Sequence, residues 1–312
     1  MAVEVLASTK DMSREQWLEW RRQGIGGSDA AAVAGLYRWR SPVGVWLEKT
    51  GQVEEDDAGE AAYWGKVLED VVAREFSERT GLKVMRRNAI LQHPQYPFML
   101  ANIDRYIVDK DSGRGVLECK TANEYLKGEW EDDKIPEAYQ IQVQHYLAVT
   151  GLSYGYVAVL VGGNKFRMKR VERDDEVIKH LIKIESDFWR LVEEQIPPEM
   201  DGSDASKELL GKLYPESTPE TSIELPASAK ALIEEREQWR AVEDDAKTRK
   251  QAAENKIKQM LGDHELGYVG DTKVTWKTVV SRRFDSKSFK LDRPDLYQDY
   301  VKESVARRFL VS

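Results

Sequence analysis

The chain has 312 residues, 41% hydrophobic and 33% charged, enough for one large domain or a domain with an appendage. No apolar run approaches ~18 residues, which speaks against a membrane span, and the N-terminal MAVEVLASTKDMSREQW lacks the segments of a signal peptide. The net charge of −8 argues against coating nucleic acid over the whole surface, though a basic channel can lie inside an acidic shell; the single cysteine, Cys119, excludes an internal disulfide and fits a reducing cytosol.

Ser13 and Gln16 form a capping box that predicts a helix over REQWLEWRRQG, ended by Gly24. In the next stretch, GIGGSDAAAVAGL, Ser28 or Asp29 is expected to cap a short Ala-rich helix. Residues 41–51 read as another short helix, with Pro42 early and Gly51 at its end, and 53–60 as an acidic loop. Over 61–80 the spacing of Trp64, Val67, Leu68, Val71, Val72 and Phe76 predicts an amphipathic helix with Glu69 at the edge of its apolar stripe. Strands are predicted at 82–91, 98–109 and 116–121, the last two as a hairpin about the loop 109–115.

A helix from Pro136 to Thr150 follows, then a hairpin (154–161 and 165–171) and a long helix over 174–198. Tyr139, Gln142 and Tyr146 share one face of the first of these helices. Core packing explains the tyrosines but explains Gln142 poorly; His145 is expected to be exposed and Gln144 to be the weaker candidate. Residues 199–226 are rich in Ser, Pro, Thr and acids and read as a linker. Residues 227–261 read as a highly charged helix suited to a solvated arm or a coiled-coil partner, and 266–280 as a strand pair turning at Gly270-Asp271.

Four residues call for a joint explanation. Alternation puts Glu118 and Lys120 on one face of strand 116–121, with Leu117, Cys119 and Thr121 on the other. The hairpin is short enough to bring Asp104 opposite Glu118, and Glu69 stands on the helix edge. Converging carboxylates repel one another, and a hard divalent cation such as Mg²⁺ resolves that conflict with oxygen ligands. The backbone carbonyl of Cys119 offers a further ligand. Lys120 could then orient or help deprotonate an attacking water, or stabilise charge on phosphoryl oxygens. The pattern points to phosphodiester hydrolysis, although an E-x-K pair on a half-exposed strand also arises by chance. Gly24 to Ser28 approaches a helix N-terminus, where backbone N–H groups attract anions. Arg21 offers a fork to phosphate oxygens.

These residues resemble the PD-(D/E)xK nucleases, with Ile103-Asp104 in place of Pro-Asp. The segments WLEWRRQGIGGSDAAAVAG, WGKVLEDVV, ANIDRYI, LECKTA and YQIQVQHYLAVTG follow the order seen in the YqaJ-like viral recombinase family, which includes lambda-type phage exonucleases. The resemblance covers residues 13–195 and extends to the tail motifs of longer members. It implies an α/β fold: a restriction-endonuclease-like core (1–198) with a mixed central sheet flanked by helices, a linker (199–226), and a C-terminal helical arm with a small β-containing tail (227–312). It implies that Glu69, Asp104, Glu118 and Lys120 are catalytic. Asp104, Glu118, the Cys119 carbonyl and Glu69 (through water) would hold Mg²⁺, with Mn²⁺ as a substitute.

Arg21, Ser28, Asn102, Gln142 and Tyr146 would bind the 5′-phosphate and the DNA, with Trp17 as anchor. Asn102 stands where the lambda type often has Ser. The implied activity is 5′→3′ degradation of one strand of linear double-stranded DNA, with the product passed to a RecT- or Beta-like single-strand annealing protein. A homo-oligomer, such as the trimer of lambda-type members, in the cytoplasm of a bacterial host, phage- or prophage-encoded, is expected. Two alternatives stay open at this stage: a structure-specific endonuclease with the same metal site, and a non-catalytic scaffold that recruits an annealing protein.

Overall fold

A computed structural model describes residues 3–53, 59–132, 134–303 and 306–311. It comprises two units, residues 1–213 and 214–312. In the first unit the elements run β1 (Glu4–Ser8), α1 (Arg14–Arg22), α2 (Gly27–Val33), α3 (Pro42–Lys49), α4 (Gly59–Thr80), β2 (Lys83–Arg86), β3 (Ala89–Gln92), β4 (Leu100–Ala101), β5 (Arg105–Asp109) and β6 (Gly113–Ala122). A 3₁₀ helix (Glu124–Trp130), α5 (Glu137–Thr150), β7 (Tyr154–Val161), β8 (Lys165–Glu172), α6 (Asp175–Glu193) and α7 (Asp204–Leu213) complete it.

The main sheet has the order β2-β5-β6-β7-β8, and β1-β3-β4 form a smaller one. β5 and β6 are antiparallel, with Arg105 opposite Leu117, while β6 and β7 run parallel, with Glu118 opposite Val157. The parallel pair exists because the long connection between β6 and β7 carries α5 across the sheet. Val116, Val157 and Val159 on one face pack with Val143, Tyr146 and Leu147 of α5. Leu117, Ile107 and Ala158 on the other pack with Val72, Ala73 and Phe76 of α4. The mixed central sheet flanked by helices is the architecture expected from the sequence.

Several expectations need correction. Residues 82–91 and 98–109 are each two strands rather than one, and in each case the chain passes between the two sheets. The break at 102–104 frees Asp104 from the ladder. α2 is capped at Gly26, not at Ser28 or Asp29, because the Asp29 side chain folds back to accept the Gly26 N–H at 3.0 Å. Only the C-terminal half of the α4 stripe is buried: Val72 and Phe76 are core, while Trp64, Val67 and Val71 are exposed. Helical spacing locates a face but not the length over which a partner covers it.

Within the segment read as a linker, 204–213 is helical, and Leu209 and Leu213 pack on the cluster of α2, α3 and α6. α6 stops at Glu193, short of the prolines. Most of the predicted acidic loop, 54–58, lies outside the described residues, and Gly59 and Glu60 already belong to α4.

The second unit holds α8 (Ala229–Leu261), the hairpin of β9 (Leu266–Val269) and β10 (Thr272–Thr275), and the short helices α9 (Ser286–Asp292) and α10 (Pro294–Asp299). Among the described residues, no helix is long and apolar enough to cross a membrane.

Candidate active site

β6 positions the two charges that alternation predicted. Glu118 is buried and Lys120 half-buried, with Lys120 Nζ 2.6 Å from Glu118 Oε1. The same oxygen accepts Gln142 Nε2 at 2.7 Å, while Glu118 Oε2 is buried without any hydrogen-bond partner. Asp104 stands just before β5, and its Oδ2 accepts the Cys119 N–H at 2.8 Å. The two acids therefore meet across the hairpin.

Burial, followed by the charges of Glu118 and Glu69, pushes the Asp104 carboxyl well above the usual carboxylate range. Burial also raises Glu118, against the pull of Lys120. Burial alone would lower the Lys120 ammonium, but Glu118 and Asp104 hold it above its ordinary value. Burial first, then the neighbouring carboxylates, pushes the Cys119 thiol up, which agrees with a small core side chain rather than a nucleophile.

Gln142 also donates to Tyr146 Oη at 2.9 Å, and that hydroxyl donates to the Asn102 carbonyl at 3.3 Å. Gln142 is thus tied to an acid and a tyrosine, which is why core packing could not account for it. α2 lies against this chain of bonds. A Cβ on Gly27 would come within 2.3 Å of the Tyr146 ring, so only glycine fits there.

One cavity of about 150 Å³ joins these groups. Trp17, Arg21 and Ser28 line it together with Asn102, Asp104, Glu118, Gln142 and Tyr146. Arg21 lies over the Trp17 ring, 4.8 Å from its centroid, and donates to Ser28 Oγ at 3.4 Å and Asp29 Oδ1 at 2.9 Å. Glu69 is placed differently. It pairs with Arg105, which also engages Asp70, so it acts on the two acids by its charge and not by contact. Among the described residues, no group of three or more His, Cys, Asp or Glu side chains converges on a metal position. Asp104 and Glu118 are a two-carboxylate site, the kind Mg²⁺ uses when substrate oxygens and water complete its shell.

Sequence reasoning missed Arg105 and the cluster behind Arg21. Asp29 is fully buried and receives Arg21, Arg40 and, at 2.6 Å, Lys49; Lys49 also donates to the Arg21 carbonyl at 2.7 Å. No spacing rule announces that cluster, because its members come from α1, α2, α3 and the turn between them. His145 corrects an expectation. It is fully buried, between Glu185 at 2.8 Å and the Leu100 carbonyl at 2.8 Å, with both ring nitrogens facing acceptors. Gln144 spans the β8–α6 corner, donating to the Glu172 carbonyl and accepting the Asp174 N–H.

The fold is that of the alkaline exonucleases. The chain matches the crystal structure of an alkaline exonuclease, LHK-Exo, from Laribacter hongkongensis with a TM-score of 0.50 and 22% identity, over 64% of this chain and 100% of that one. The structure of LHK-Exo in complex with dAMP matches equally well, over the same shares of both chains. Residues 16–153 match the YqaJ-like viral recombinase domain. Over 315 residues the chain is 47% identical to the uncharacterized protein YqaJ of Bacillus subtilis (strain 168), covering 98% of this chain and 96% of that one. The chain belongs to the YqaJ-like viral recombinase family.

The crowding of acids has a measurable consequence for stability. Because Asp104 is raised, the folded protein keeps a proton that the unfolded chain has already released. Stability is therefore lost as pH rises from the ordinary carboxylate range through the raised value. Asp104→Asn keeps an acceptor for the Cys119 N–H and removes the charge. In the presence of a chelator its melting temperature should exceed the parent's by roughly 2–4 °C per kcal/mol relieved. The gap should be absent near pH 4 and largest under alkaline conditions. Melting curves that differ equally at all pH values would contradict it.

Proposed function

We propose that the protein is a Mg²⁺-dependent exonuclease that degrades one strand of linear double-stranded DNA, 5′→3′, and leaves a single strand for annealing-type recombination. One observation carries this reading. The cavity that contains Asp104 and Glu118 also contains Arg21 and Ser28, so phosphate donors lie beside the two acids in one confined space. Such a pocket suits the end of a strand.

The residues fit a hard divalent cation. Glu118 Oε2 is a buried oxygen with no partner, and Asp104 adds a second oxygen donor. In an extended strand a residue's N–H and C=O leave on the same side; the Cys119 N–H points at Asp104, so its carbonyl joins the set. Bound by Asp104, Glu118 and the Cys119 carbonyl, with Glu69 acting through water, Mg²⁺ (or Mn²⁺) would polarise the phosphoryl group and lower the pKa of the attacking water.

The chain's own groups do the rest. Lys120, kept an ammonium by the acids beside it, donates to the phosphoryl oxygens as charge develops. Gln142 fixes Glu118 through Oε1, which leaves Oε2 for the cation. Tyr146 holds Gln142 and the Asn102 backbone in register. Arg21, stacked on Trp17, meets the terminal 5′-phosphate with Ser28 and Asn102. Family membership supports delivery of the product to a single-strand annealing protein and a homo-oligomeric, trimeric nuclease core.

Digestion of end-labelled linear duplex with Mg²⁺ tests the reading. Label should be released from 5′ ends, and a covalently closed circle should survive. Efficient cutting of the circle would replace an exonuclease by an endonuclease. Arg21→Ala should reduce the preference for 5′-phosphorylated over 5′-hydroxyl ends by roughly 10- to 150-fold, the worth of a charge-assisted hydrogen bond of about 1.5–3 kcal/mol. An unchanged ratio would remove Arg21 from the phosphate site.

A further inference from the structure

α8 spans 33 residues, about 50 Å of helix, and nearly every side chain on it is exposed. Within that solvated surface runs an apolar stripe. Leu232, Trp239, Val242, Ala246, Ala253 and Met260 follow one another at steps of seven, three, four, seven and seven residues, spacings that keep them on one face of the helix. Trp239 is 65% exposed and Met260 84%. Ile257 falls on the same stripe, and Glu235 and Lys250 are its charged members. Arg236, which lies over the Phe309 ring, is off this face.

Charge is sorted along the helix. Residues 234–245 carry six acids against Arg236 and Arg240, and residues 247–258 carry five bases against Glu254. Its ion pairs, such as Lys247–Glu243 and Arg249–Asp245, are exposed intrahelical ones of small worth, free to exchange. Two parallel copies would set acid against acid and base against base. Two antiparallel copies set each acidic half against the partner's basic half.

We propose that α8 is a self-association surface whose partner is α8 of a second copy of this chain, paired antiparallel about a dyad near Ala246. In that register Trp239 meets Ala253, a large side chain over a small one, and Leu232 meets Met260. Glu243 then faces Arg249, and Asp245 faces Lys247. The helix dipoles also oppose favourably. The pairing is isologous, so it closes as a dimer contact.

The test uses full-length protein and three forms of it. In one, Glu243, Asp244 and Asp245 are changed to Lys; in the second, Lys247, Arg249 and Lys250 are changed to Glu; in the third, Trp239 is changed to Glu. Mass is read by light scattering at about 50 mM salt, and nuclease activity in parallel. The parent should have about twice the assembly mass of each variant alone, because uniform charge or a carboxylate on the seam prevents pairing. Mixing the two charge variants should restore it, and higher salt should weaken the parent's association. Equal masses for parent and variants, or no recovery on mixing, would overturn the proposal. Nuclease activity of the variants reports on the active-site reading separately, since none of these residues lines its cavity.

Discussion

Lys120→Ala should reduce Mg²⁺-dependent degradation of linear duplex by at least roughly 10²–10³-fold, the range found when one donor to developing oxyanion charge is removed. The expectation rests on position. Lys120 Nζ lies 2.6 Å from Glu118 Oε1, 5.0 Å from the Tyr139 ring centroid, and on the face of β6 that carries the acid. In the proposed site it is a donor without being a ligand. Its loss should leave cation binding intact, so added Mg²⁺ should still raise the variant's melting temperature.

Asp104→Asn should lose both the activity and that thermal response, because in the proposed site it removes a ligand. Comparing the two variants separates chemistry from metal binding. Retained activity in Lys120→Ala would remove the lysine from the mechanism. Loss of the Mg²⁺ response in that variant would instead mean that the ammonium organises the carboxylates.

How much of this was legible in the sequence depends on distance along the chain. The β5–β6 hairpin and the helical phase of α5 are local, and from them the meeting of Asp104 with Glu118 and the inward aim of Gln142 follow. The capping box of α1 was readable for the same reason. What failed was set by partners far apart in sequence. His145 is a polar residue on a helix, and only Glu185 on α6 and the Leu100 carbonyl make its burial tolerable. Glu69 sits at the predicted helix edge, but Arg105 takes it, and nothing in W-G-x-x-x-E announces that arginine. Trp64 and Val67 continue an apolar stripe, but among the described residues nothing on their side of α4 covers them enough to bury them. Asp29 had the composition of a helix cap; its burial became visible only when α1 and α3 closed over it.

That buried carboxylate should be the most stability-sensitive charge near the site. Asp29→Asn is expected to destabilise the protein by about 3–5 kcal/mol, the effect of breaking a buried ion cluster by removing one member. Three cations converge on Asp29, and the Lys49 side chain is only 2% exposed. Burial would raise Asp29, but Lys49, Arg21 and Arg40 outweigh it and hold the carboxyl well below its usual range. The sign is then fixed. A depressed folded value gives stability that is present above the ordinary carboxylate range and is lost as pH falls through the folded value. The gap between parent and Asp29→Asn in denaturant melts should therefore be wide at pH 7 and narrow towards pH 2.

Burial already lowers the Lys49 ammonium against the pull of Asp29, so without that partner the lysine is an orphan charge. Adding Lys49→Met to Asp29→Asn should recover part of the loss, and a double variant no more stable than the single one would show that the cluster is not coupled in this way. Arg21 is anchored through the same carboxylate, so the preference for 5′-phosphorylated ends should fall in Asp29→Asn even under conditions where the variant is fully folded. A folded variant with undiminished end preference would mean that Trp17 and Ser28 alone are enough to aim the guanidinium.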